Sequence, residues 1–255
     1  MNFINQLNTP RNIDLRTAFM SPFQGISFLL YHPALLFKVL MCSFGIMLSL
    51  PLFIIGFVTI PIFLCMIMLM VINEITGDNL SFTEIMSQVY VNIKVKIKSF
   101  IILSFLPLLA CLYIIYSLTN NGNSPLIIYE FFALLCFLII WGIVIIHCLL
   151  ICNQKNQMAL YAVFDSLNLL AQKPFLLFGQ LIAWIMGLMF VMAVLFSYVL
   201  ILPAIGIQHG TMLSTLLILM IIFLAVAVYV SFYVSGVTVL MYHRYSKETS
   251  CDEDE

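Results

Sequence analysis

The chain has 255 residues, 64% of them hydrophobic and only 8% charged, with a mean hydropathy of +1.15. A soluble domain carries about 25% charged residues, so lipid must solvate much of this surface. The net charge of −1 says little about partners, but nothing in the chain forms the basic surface that binds nucleic acid.

Residues 1–18 read as a polar arm without a continuous apolar run. A cleavable signal peptide needs such a run behind a basic start, so none is expected and the chain should insert through its own helices. Residues 19–242 read as one integral membrane domain, and 243–255 as a tail ending in Asp252, Glu253, Asp254 and Glu255. That acidic end is most simply solvated, with a docking role as the alternative.

A crossing helix needs about 20 apolar residues. The uncharged stretch 39–72 is too long for one helix and suits two, at about 34–53 and 56–73, with Pro51, Gly56 and Pro61 supplying the break. A re-entrant first pair, leaving four full crossings, is the alternative. The polar group Asn73, Glu74, Thr76, Gly77, Asp78 and Asn79 ends the second helix. Ser81 and Glu84 have capping-box spacing ahead of Phe82, Ile85, Met86 and Val89. Val91–Lys98 alternates like a strand, yet a strand edge in lipid leaves backbone groups unpaired, so it reads as helix. Further crossings are expected at about 99–118, 126–151, 174–200 and 212–241, with outer turns at 119–125 and 203–210. The fold class is therefore all-α and polytopic, about six transmembrane helices in three hairpins. An amphipathic segment precedes each hairpin (19–31, 81–98 and 158–171) and is expected to lie flat at the interface.

The ten basic residues are Arg11, Arg16, Lys38, Lys94, Lys96, Lys98, Lys155, Lys173, Arg244 and Lys247. All fall at one end of this hairpin scheme. Loops that keep Lys and Arg stay cytoplasmic, so both termini are expected inside, in a bacterial cytoplasmic membrane. Lys94, Lys96, Lys98 and Lys173 are expected to meet anionic lipid headgroups.

An internal repeat supports the division. Phe23 precedes Pro33-Ala34-Leu35-Leu36-Phe37 as Phe164 precedes Pro174-Phe175-Leu176-Leu177-Phe178. Each proline falls where a first helical turn tolerates it. With the Gly77…Ser81-Phe82 entry to the second unit, these segments make residues 15–242 resemble a broad group of bacterial inner-membrane proteins. These are the YciC-like families and the membrane domain attached to some glycerophosphodiester phosphodiesterases. The resemblance implies a six-helix membrane body with amphipathic helices before each pair. It transfers no catalytic residue.

Among site candidates, Glu130 is the one carboxylate inside a predicted crossing, either a solvated interfacial group or an intramembrane proton or cation site. His209 is the titratable partner visible in the sequence. His147, Cys148 and Cys152 hold soft metal-ligand types, but His147 and Cys148 are adjacent and point to different helix faces, so packing is favoured. Most of the seven cysteines read as small apolar side chains, and no disulfide framework is expected. The methionines, Met66, Met68 and Met70 among them, and Met186, Met189 and Met192, suit pliable packing better than a copper path. Ala227, Ser231 and Ser235, four apart, form a small-residue stripe for close helix packing, with a pore lining as alternative; Ala183 and Gly187 offer the same on the helix before. Trp141 and Trp184 fall in mid-helix and should pack internally. No phosphate loop, catalytic triad or paired carboxylates appear. No cofactor, metal or enzymatic activity is expected. The expected partner is the lipid bilayer, with a homo-oligomer or a membrane-protein partner left open. A non-enzymatic scaffold, accessory subunit or envelope-maintenance factor leads, a transporter or channel component follows, and an intramembrane enzyme is third.

Overall fold

The computed structural model describes residues 15–49, 53–78, 80–91, 93–121, 126–155, 159–204 and 212–251. Among them are ten α-helices and no strand. They are α1 (Leu15–Phe19), α2 (Ser21–Tyr31), α3 (Pro33–Ser49), α4 (Phe53–Thr76), α5 (Phe82–Tyr90), α6 (Ile93–Asn121), α7 (Leu126–Lys155), α8 (Ala159–Gln172), α9 (Pro174–Ala204) and α10 (Met212–Cys251). Five contain stretches long and apolar enough to cross a membrane: Ile55–Thr76, Ile93–Thr119, Tyr129–Asn153, Pro174–Tyr198 and Ser214–Tyr242. By the length and composition of its helices the chain is a multi-pass membrane protein. α3 is also apolar, but its 17 residues fall short of the about 20 that a full crossing takes.

Local chemistry sets the helix ends. Pro33 and Pro174 open α3 and α9, where a missing N–H costs no intrahelical bond. Gly77, at φ +74°, closes α4, donating its N–H to the Asn73 carbonyl at 3.0 Å. The Leu80 N–H then bonds Asn73 Oδ1 at 3.0 Å. Ser81 opens α5 with the expected capping box: its Oγ accepts from the Glu84 N–H at 3.3 Å, and its own N–H donates to Glu84 Oε2 at 2.6 Å.

One expected break is misplaced. Gly56 and Pro61 lie inside α4, which begins at Phe53 and runs through both; Pro51 is outside the described residues. Pro61 is buried, and a proline in a packed membrane helix is tolerated where neighbours compensate the lost bond. Gly56 instead permits contact, since a Cβ there would come 2.8 Å from the Ser49 carbonyl of α3. The Phe19–Tyr31 segment is also divided, at Met20, into α1 and α2. Val91–Lys98 joins α6 from Ile93 onward, as expected. Of the two expected outer turns, Thr119–Asn121 continues α6 and Pro203–Ala204 continues α9. Residues 122–125 and 205–211, with His209, lie outside the described residues.

α4 is the centre of the body, packed against α3, α5, α6, α7 and α10. Cys65, Met66, Ile67, Met68, Met70 and Val71 are all buried, the pattern of a helix enclosed on every side. That explains methionines two apart that share no single face. Met186, Met189 and Met192 on α9 point outward with Phe190 and Phe196. With Phe105, Leu109 and Leu112 of α6 and Phe131 and Phe132 of α7, they form the exposed apolar surface that lipid would cover.

Contacts run in reverse order along three helix pairs. His32 Nδ1 meets Glu74 Oε1 at 2.6 Å, joining the start of α3 to the end of α4. Ser99 lies beside Cys152, Leu103 beside Trp141, and Ser117 beside Glu130 on α6 and α7. Gln180 lies beside Tyr233, Ala183 beside Tyr229, and Tyr198 beside Ser214 on α9 and α10.

The most intimate approach joins α2 to α10. A Cβ on Gly25 would collide with the Phe232 carbonyl and the Gly236 amide, and one on Gly236 with the Ser21 carbonyl. Only paired glycines let these backbones touch. Ser21, Pro22, Gly25, Phe28 and Leu29 of α2 are buried by that contact and its surroundings, so one face of this amphipathic segment is given to helix packing. α1 packs likewise on α9, where Gly179 lies against Ala18 and Phe19.

Candidate functional site

Three polar clusters lie within the helical body, and each joins helices that are far apart or consecutive in sequence. The first is the α10 seam. Ala227, Ser231 and Ser235 are all fully buried and stand four apart on α10. Ser231 Oγ lies 2.7 Å from Ser43 Oγ of α3 and 2.8 Å from the Ala227 carbonyl. Ser235 Oγ and Ser21 Oγ, flanking the Gly25–Gly236 contact, are buried with no hydrogen-bond partner among the described residues.

The second cluster joins α7, α9 and α10, and its centre was not legible as a site. Gln180 is fully buried. Its Oε1 accepts from the Tyr233 hydroxyl at 3.3 Å and lies 3.0 Å from His147 Nε2. His147 and Tyr233 are buried as completely. One turn along α9, Trp184 packs on Tyr233 and Tyr229 with ring centroids 5.0 and 5.5 Å apart. The Tyr229 hydroxyl donates to the Ala183 carbonyl at 2.5 Å. Its ring covers Gly187 so closely that a Cβ there would overlap it. Gln180 Nε2 and Trp184 Nε1 are buried donors without a partner among the described residues. The signal that could have found this cluster was an amide in a long apolar run, since a polar side chain at membrane depth needs a polar neighbour.

The third cluster contains the predicted Glu130. The Ser117 hydroxyl of α6 donates to Glu130 Oε2 at 2.6 Å. Glu130 lines an open groove of about 320 Å³ with Ala110, Tyr113, Ile114, Ala133, Leu134 and Phe137. Its protein partner is thus a hydroxyl from the preceding helix. A second groove, of about 240 Å³, runs between α2, α9 and α10 past Pro22, Phe23, Gly187, Tyr229 and Phe232; no ionisable carboxylate, amine or imidazole lines it.

The four lysines expected at headgroups divide. Lys94 and Lys98 are exposed and Lys173, between α8 and α9, is half-buried. Lys96 turns inward: it is 4% exposed and its Nζ donates to the Gln88 and Val89 carbonyls at 3.3 and 3.2 Å. The ammonium caps the C-terminal end of α5, where free carbonyls and the helix dipole favour a cation. The physical reason is angular. Lys94 and Lys98 are four apart and share a face of α6, while Lys96 projects from the opposite one.

Among the described residues no group of three His, Cys, Asp or Glu side chains is placed to hold a metal ion. Cys148 and Cys152 are buried where α6 and α7 meet, and Ser99 Oγ lies 3.6 Å from Cys152 Sγ. Both tryptophans sit in helix–helix contacts. Trp141 stacks on Phe137 at 5.5 Å, and its indole N–H donates to the Leu103 carbonyl at 2.6 Å. That carbonyl is the one Pro107, four residues on within α6, has no N–H to bond.

No family model, curated protein or solved structure matches the chain.

Proposed function

We propose that the chain is a non-enzymatic scaffold or accessory subunit of the bacterial cytoplasmic membrane. It crosses six times in three hairpins, with α3 as a short first crossing and both termini in the cytoplasm. α5 and α8 lie along the cytoplasmic interface, with Lys94 and Lys98 toward anionic headgroups. The charge asymmetry supports this sidedness, as does the YciC-like pattern of amphipathic segments ahead of each pair.

One observation carries the scaffold reading: among the described residues most of the buried polar side chains bond neighbouring helices or backbone, the Ser21 and Ser235 hydroxyls and the Gln180 and Trp184 N–H donors being exceptions. Ser231 meets Ser43, the Ser166 hydroxyl donates to the Val144 carbonyl, Tyr233 donates to Gln180, and Trp141 to Leu103. Bonds of this kind fix helices against one another, each worth about 0.6 kcal/mol and up to about 1.7. A solute path would instead keep such groups free to meet solute and water.

The test uses single cysteines at positions 166, 180 and 231 in a background lacking the native ones, exposed to a membrane-impermeant thiosulfonate from either side. Protection of all three is expected. Labelling of two or more would favour a transporter or channel component and end the scaffold assignment. Reporters fused after Asn121 and Gln208 should read as external, and a cytoplasmic signal from either would overturn the hairpin scheme.

A further inference from the structure

We infer that the Glu130 groove binds a lipophilic organic monocation, a ligand with one positive charge on an apolar body that enters from the bilayer. Several features converge. The groove is built from α6 and α7, and no Lys or Arg occurs anywhere in residues 99–154. Glu130 therefore has no cationic side chain from either wall of its own site. Ser117 donates to Oε2 through a neutral hydroxyl, which leaves the charge of the carboxylate uncompensated. A half-buried carboxylate left so is costly unless a positive charge or a proton meets it.

The rest of the lining says what kind of charge suits the site. Ala110, Ile114, Ala133, Leu134 and Phe137 are apolar, and Tyr113 adds a ring face. A metal cation would need several oxygen ligands, and the groove offers one carboxylate. An organic cation needs only charge neutralisation and apolar contact, which an aromatic face strengthens. The volume, about 320 Å³, is at the small end of small-molecule sites, roughly 300–1,000 Å³. A zwitterionic phospholipid fits worse, because its phosphate would sit beside Glu130 with no basic group to receive it. The groove lies near one end of the Tyr129–Asn153 stretch, so the charged head stays close to water while the body rests against α6 and α7.

The inference does not depend on the scaffold reading. Flux of the probe across proteoliposomes in excess of that across protein-free liposomes would count against the scaffold and leave binding intact. Absence of binding would count against this site alone.

The probe is tritiated tetraphenylphosphonium, added to full-length protein in phosphatidylcholine nanodiscs. Saturable binding near one per chain is expected. Glu130→Gln should weaken it at least tenfold, and Ala133→Phe, which fills the groove and keeps the carboxylate, should do the same. Ser117→Ala should weaken it no more than a few-fold. Ala133→Phe decides the matter if Glu130→Gln lowers the yield of folded protein. Three results would each overturn the inference: no saturable binding to the wild type, undiminished binding to Ala133→Phe, or displacement of the probe by phosphatidylethanolamine as readily as by unlabelled probe.

Discussion

Pro107 and Trp141 are coupled through one carbonyl, and a double-mutant cycle measures that coupling. Pro107 lies within α6 and leaves the Leu103 carbonyl without its i+4 donor. The Trp141 indole of α7 takes that place at 2.6 Å, and Leu103 is almost wholly buried, so water is no ready substitute. Trp141→Phe keeps a ring over Phe137 but removes the donor. Orphaning a buried carbonyl costs about 1–3 kcal/mol, and interhelical bonds in membranes set an upper value of about 1.7. A loss of about 1–2 kcal/mol is therefore expected. In a Pro107→Ala background the new Ala N–H closes the helix ladder onto the same carbonyl. There Trp141→Phe should cost about 1 kcal/mol less, while the change in ring size cancels between backgrounds. The assay is reversible SDS unfolding in mixed micelles followed by far-UV circular dichroism. Equal costs in the two backgrounds, within about 0.3 kcal/mol, would refute the idea that the indole replaces the proline's missing donor.

Gly236→Ala places a methyl group against the Ser21 carbonyl and should cost at least the about 1–3 kcal/mol of overpacking; proteolysis within α2 should become faster in bicelles, and unchanged protection would contradict the close contact. Gln180→Leu leaves the Tyr233 hydroxyl and His147 Nε2 without the amide oxygen they share. It should destabilise by about 1–3 kcal/mol and more than Tyr233→Phe, as read by the same unfolding assay. The Ser81 hydroxyl and backbone N–H hold the Glu84 carboxyl below its ordinary value of 4.5. A depressed carboxylate stabilises fully above the unfolded value and loses that contribution as pH falls through the folded one. Amide exchange in the first turn of α5, corrected for intrinsic rates, should therefore accelerate selectively in acid, and Glu84→Gln should remove that dependence.

What the sequence made legible was chiefly local chemistry. Pro33, Pro174, Gly77 and the Ser81–Glu84 pair act within a turn of where they stand, and each ends or opens a helix as its chemistry dictates. Pro61 misled because a proline's effect depends on what surrounds it; enclosed by neighbouring helices, it sits inside α4. Glu130 was conspicuous as a carboxylate among apolar residues, whereas Ser117 was not, since the register of α6 against α7 is written in packing. Gln180, His147 and Tyr233 come from three helices, and nothing local announces that they meet. The inward turn of Lys96 was accessible from helical geometry, but the alternating pattern drew attention to charge rather than to angle.

The Gly25–Gly236 contact also sets a timetable for assembly. The ribosome delivers Gly25 of α2 ahead of Gly236 of α10 by 211 residues, and synthesis at about 5–20 residues/s separates them by roughly ten to forty seconds. Throughout that interval the glycine face of α2 lacks its mate. Until α10 has been made, every nascent form of this protein carries an open seam that a membrane chaperone or a quality-control protease can recognise.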